Sequence, residues 1–148
     1  MTSWETITAA ITTALSGDKE TGRELLTDCW NSATEPDHAQ RCVIAHYLAD
    51  LQSDLAAEVA WDERALVEHP FVADEDLAPV GIATARSLAP SLHLNLGDGY
   101  RRQSRHVEAR IQLDLALARV DTLPDDGYGR LIRDGLDRLA VRLEAEQS

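Results

Sequence analysis

An all-α fold is what this sequence predicts, and three observations carry the prediction. Alanine and leucine abound while aromatics make up only 5% of the 148 residues. β-branched residues never form a sustained alternating run, and apolar residues recur at steps of three and four along nearly the whole chain. A pair of small residues 12 positions apart occurs three times, at Ala10 and Gly22, Ala45 and Ala57, and Gly97 and Ala109. Each pair brackets a turn, so each reads as two antiparallel helices in close contact.

In order, Thr2 with Glu5 reads as a capping box. It opens a helix from about Ser3 to Ser16 with the stripe Ile7, Ala10, Ile11, Ala14 and Leu15, ended by Gly17. Asp18 caps a second helix whose face is Gly22, Leu25, Leu26, Cys29 and Trp30. Residues 3–33 are thus the first hairpin. Asp37 with Gln40 resembles a capping arrangement for a third helix carrying Val43, Ile44, Tyr47, Leu48 and Leu51. Asp54 caps a fourth, with Leu55, Val59, Ala60 and Leu66, ending where His69-Pro70 breaks the pattern, so the second hairpin is 37–68. Phe71 and Val72 make the following loop apolar enough to be tucked against the helices.

Asp74 is expected to open an inserted helix over 74–89, with Pro79 near its first turn. Its phase, through Ile82, Ala85, Ala89, Leu92 and Leu96, continues across a kink at Pro90. The third hairpin is 90–123. Gly97 and Tyr100 share a face of its first helix, Ser104 and Arg105 make the turn, and Ala109, Leu113 and Ala116 form the returning stripe. Leu123 to Gly127 is a turn, and a final helix over 126–147 carries Leu131, Ile132, Leu136, Leu139, Ala140 and Leu143 opposite a charged face. That pattern suits a helix closing the end of a stack.

In the middle hairpin Leu48 stands where Tyr100 does and Trp61 where Leu113 does, while Arg64 falls where a small residue is expected, with Ala65 adjacent. The run Asn95-Leu96-Gly97-x-x-Tyr100, with Ala109, Ala116 and Pro124, resembles the tetratricopeptide repeat consensus. The offset of 35 residues between the first two small-residue pairs lies close to that family's 34-residue period. His93 replaces the aromatic common before the Leu-Gly pair and Thr13 replaces the tyrosine in the first unit, as in a diverged array. At 148 residues one domain is expected, and the resemblance implies hairpins stacked within it as a short right-handed superhelix. It also implies a concave groove, lined by the first helices, that binds an extended peptide or partner helix. The residues on that side are Trp4, Ile7, Ile11, His46, Asp50, Leu94, Asp98, Arg101 and Arg102. Asn95 stands where some chaperone-binding members hold a peptide's terminal carboxylate.

Net charge bounds the partners. The chain carries −12, and residues 1–74 hold 4 Lys+Arg against 14 Asp+Glu, so a nucleic acid or an anionic membrane is repelled by that half. No run approaches the ~20 apolar residues that span a bilayer, and residues 1–16 lack the pattern of a secretory leader. A cytoplasmic protein is expected, with Cys29 and Cys42 as small apolar core residues.

Chemical motifs are sparse. No phosphate-binding loop, dinucleotide fingerprint, H-E-x-x-H or C-x-x-C is present, so no cofactor or catalytic residue is expected. His38, Cys42, His46 and Asp50 stand four apart along one side of the third helix, and adjacent members could chelate. A whole site would need a ligand from elsewhere, such as His93, because residues eight apart lie ~12 Å apart along a helix. Solvated or hydrogen-bonded groups are the expected reading of that row. Trp4, Trp30 and Trp61 fall in apolar stripes and are expected to pack in the core rather than to form a cation cage. Paired carboxylates such as Asp62-Glu63 point apart on a helix. What remains is a surface for protein binding; the alternatives are a metal- or ligand-binding protein or enzyme using His46, Asp50 and His93, and a module that sits beside a DNA-binding regulator.

Overall fold

The computed structural model describes residues 3–146. Among them are seven α-helices, four short 3-10 segments and no strand. The chain divides into two compact units, Met1–Ala83 and Thr84–Ser148. The first unit holds α1 (Trp4–Leu15), α2 (Lys19–Ser32), α3 (His38–Asp50) and α4 (Leu55–Glu68). The second holds α5 (Ala89–Arg102), α6 (His106–Leu117) and α7 (Gly127–Glu146).

Three hairpins, α1-α2, α3-α4 and α5-α6, share one internal register. Six residues before the helix-ending Ser16, Leu51 and Gln103 stand Ala10, Ala45 and Gly97, all buried. Four, eight and eleven residues after the helix-opening Asp18 and Arg105 come Gly22, Leu26 and Cys29, then Ala109, Leu113 and Ala116, again all buried. In the middle hairpin the same count from Asp54 reaches Glu58, Asp62 and Ala65 instead of the expected Ala57, Trp61 and Arg64. Asp62 and Ala65 are buried, and Arg64 is exposed. The shift has a simple cause. Four residues, Leu51 to Asp54, join α3 to α4, whereas three join the other two pairs.

The helix ends follow local chemistry. Ser3 accepts from Thr6 N–H, Asp18 from Thr21 N–H and Asp54 from Ala57 N–H, each satisfying an otherwise orphaned donor. The expected capping role of Thr2 lies outside the described residues. Asp37 does not cap α3. Its carboxylate turns back to accept from Thr34 N–H at 2.8 Å and Thr34 Oγ1 at 2.9 Å, and these bonds hold it below the usual carboxylate range. At the third turn Ser104 adopts φ +62°, with Ser104 N–H on Arg101 O and Arg105 N–H on Tyr100 O, a Schellman closure.

Residues 74–89 differ from the expected helix. Asp74–Val80 is a 3-10 segment, closed by Gly81 at φ +76° with Gly81 N–H on Ala78 O and Ile82 N–H on Leu77 O. Pro79 lacks the N–H that an α-helix would need there, and the left-handed glycine turns the chain out of helical phase. A second 3-10 turn, Arg86–Leu88, leads into α5, where Pro90 sits in the first turn rather than at a kink.

In the second unit α7 packs on both α5 and α6, burying Gly129, Ile132, Leu136, Leu139 and Leu143. Asp126 Oδ1 accepts from Gly129 N–H and so opens the helix. Of the residues expected inside, Leu15, Leu25, Leu131 and Phe71 are instead exposed, while Val72 is buried as expected.

Candidate functional site

The groove residues divide between the two units. In the first, Ile7 and Ile11 are core, at 0% and 8% exposed, and belong to no open surface. Trp4 is half-buried and Asp50 is exposed at the end of α3. His46 lies against Tyr47, with ring centroids 5.4 Å apart. Desolvation pushes its imidazole down to about 4, so the ring is neutral at physiological pH.

In the second unit the residues lie along α5. Leu94 covers Gly135 of α7, where an added Cβ would come within 2.7 Å of its Cδ2. Asn95 is half-buried beside it. Asp98 gathers both arginines, accepting from Arg101 Nη2 at 3.0 Å and from Arg102 Nε at 3.1 Å. Arg101 also donates to Glu146 Oε1 at 2.8 Å, and its side chain is only 14% exposed. Arg101 therefore ties α5 to α7. Arg102, at 37%, is the member of the pair that faces solvent.

The row on α3 is engaged within the first unit. His38 Nδ1 bonds Glu68 Oε2 at 2.6 Å, and Arg41 Nε donates to Glu68 Oε1 at 2.9 Å. Burial pushes the Cys42 thiol up to about 12, with the Glu68 carboxylate adding to the shift, so the thiol stays protonated. His93, in the second unit, bonds Gln112 Oε1 through Nδ1 at 2.8 Å. Among the described residues no three His, Cys, Asp or Glu side chains are placed to hold a metal ion.

One cluster was not foreseen from the sequence. Trp30 and Trp61 meet edge to face, with centroids 5.0 Å apart. Arg41 lies 4.1 Å over Trp30 and Arg64 4.4 Å over Trp61. Glu68, buried on α4, anchors Arg41 and His38, and His38 stacks on Phe71 at 4.7 Å. The tryptophans are half-buried rather than core, and each offers a ring face to one of the protein's own arginines. Trp30 and Trp61 stand at different positions relative to their caps, Asp18 and Asp54, so no repeat spacing pairs them.

Comparison with known proteins finds no matching family model, no similar curated protein and no similar solved structure. No described helix is long and apolar enough to cross a membrane.

Proposed function

We propose that this chain is a protein-binding module of tetratricopeptide type, taking an extended peptide or partner helix rather than catalysing a reaction. The superhelical stacking of hairpins implied by the sequence resemblance is part of this proposal. The observation that carries it is the common register. Three hairpins with different sequences bury matching positions counted from their caps, as repeats of one unit do, with half-buried Glu58 of the middle hairpin the exception. Chemistry at the histidines and cysteines finds little support, because Cys42 is held as a thiol and His38 and His93 are hydrogen-bonded to side chains of neighbouring helices.

On α5 the binding candidates are Asn95, Asp98 and Arg102, with Leu94 and Arg101 shaping that face through α7. In the first unit they are His46 and Asp50. Arg102 is the most direct probe, since it is a half-exposed cation on a chain of net charge −12. With a partner isolated from the native host, Arg102→Glu should weaken binding by about tenfold or more, and added salt should weaken the parent complex. An affinity indifferent to both would remove the α5 face from the proposal.

A further inference from the structure

We propose that the outer face of α4 and the turn that follows it receive a basic amphipathic helix of a partner protein. The inference rests on the protein-binding reading above and assigns it a site and a partner chemistry. Along α4 the outer face runs through Ala56, half-buried Ala60, Glu63 and Val67, at steps of four, three and four, and Phe71 follows four residues later. Val67 and Phe71 are 66% and 65% exposed, although Val72, next to them, is buried. Ala56 and Ala60 are small enough to let another helix approach closely, while Val67 and Phe71 stand out as knobs.

Phe71 is fixed in place. Its ring stacks on His38, itself bonded to Glu68, and Pro70 restrains the backbone before it. An exposed aromatic already held in one position loses little freedom when covered, which is what a binding anchor requires.

Charge identifies the occupant. Residues 1–83 carry 4 Lys+Arg against 16 Asp+Glu, a net of −12, whereas residues 84–148 balance at 10 against 10. Glu63 lies within the face, and Asp74, Glu75 and Asp76 stand exposed directly beyond Phe71. The two arginines nearest in the chain are engaged, Arg64 over Trp61 and Arg41 between Trp30 and Glu68. A helix with an apolar stripe flanked by Lys or Arg complements this face, and an acidic one is repelled. Val107, Ile111 and Leu115 on α6 form another exposed stripe, but on a unit of balanced charge where nothing selects an occupant.

The test uses the full chain and two synthetic peptides of ~18 residues, about five helical turns. One alternates a leucine stripe with lysine flanks, and the other replaces every lysine by glutamate. Binding is read by calorimetry at low and high salt for the parent, for Val67→Ser/Phe71→Ser, and for the control Leu15→Ser, which changes another exposed apolar residue of the same unit. Helix content by circular dichroism checks that each variant is folded. The inference expects the lysine peptide alone to bind, more weakly in high salt, with affinity reduced about tenfold or more in the double variant and unchanged in the control. Equal loss in both variants, or none in either, would overturn the site while leaving a protein-binding module intact. Failure of the lysine peptide to bind the parent would overturn the choice of a basic helix.

Discussion

Gly22 illustrates how a hairpin can depend on one absent methyl group. A Cβ added there would lie 2.5 Å from Ala14 Cβ and 2.7 Å from Ala14 Cα, so the obstruction is partly backbone and α1 and α2 would have to separate. Alanine is the better helix former by about 1 kcal/mol. Overpacking should exceed that gain, and Gly22→Ala is expected to lower stability by ~1–2 kcal/mol in denaturant unfolding; a variant as stable as the parent would contradict the close contact. Gly97 is different, because an added Cβ would first meet side-chain atoms, Leu139 Cδ2 at 3.1 Å and Gln112 Cβ at 3.3 Å. There alanine should be nearly neutral, whereas Gly97→Leu should cost roughly 1–3 kcal/mol. His46 supplies a pH prediction. Its folded pKa is depressed to about 4 from 6.5, so between those values the unfolded chain binds more protons and stability is lost as pH falls. His46→Gln should therefore narrow the drop in melting temperature between pH 7 and pH 4. An unchanged drop would mean that the imidazole is not desolvated. These positions were only partly legible in sequence: the small residues announced themselves by spacing, but which neighbour each meets depends on chain packing.

At the scale of elements, the seven α-helices could be placed from apolar periodicity, helped at α2 and α4 by the capping residues Asp18 and Asp54, because both signals are local. Two features could not. The extra residue between α3 and α4 moves every position of α4 by one, so that Asp62 is buried where Trp61 was expected; a periodic pattern fixes a helix's phase but not its linker length. Over residues 74–89 apolar spacing favoured a helix, yet Pro79 and the left-handed Gly81 outweighed it. Glu68 carries the element-scale prediction for the first unit. It holds His38 and Arg41 of α3 to α4 with its side chain 10% exposed, so Glu68→Ala strands a partly buried guanidinium and should cost about 3 kcal/mol, seen as a lower denaturation midpoint. A cost within the range of an exposed ion pair, ~0–1 kcal/mol, would show that solvent screens the cluster. In the second unit, ending the chain after Pro124 removes α7 and uncovers Leu94, Gly97 and Arg101 as well as the α6 stripe. Aggregation or partial unfolding of that unit is expected. A monomeric, fully helical product would make α7 a detachable arm.

Across the whole molecule, charge and chemistry divide unequally. The first unit holds the entire net charge of −12 while the second is balanced, an asymmetry visible in the sequence although the division between Ala83 and Thr84 was not. Composition shows a change of charge, but a unit boundary is set by which helices pack together, and the continuous apolar phase through Ala89 and Leu92 concealed it. In the α3 row His38 holds α3 to α4 through Glu68 and Cys42 lies in the core. Native mass spectrometry of the protein purified gently from its own cells tests the proposed role most directly. The account predicts a complex heavier than the 16.3 kDa chain, in which the added mass is a polypeptide that dissociates as salt is raised. Recovery of the chain alone, or with only a metal ion or small molecule bound, would contradict it.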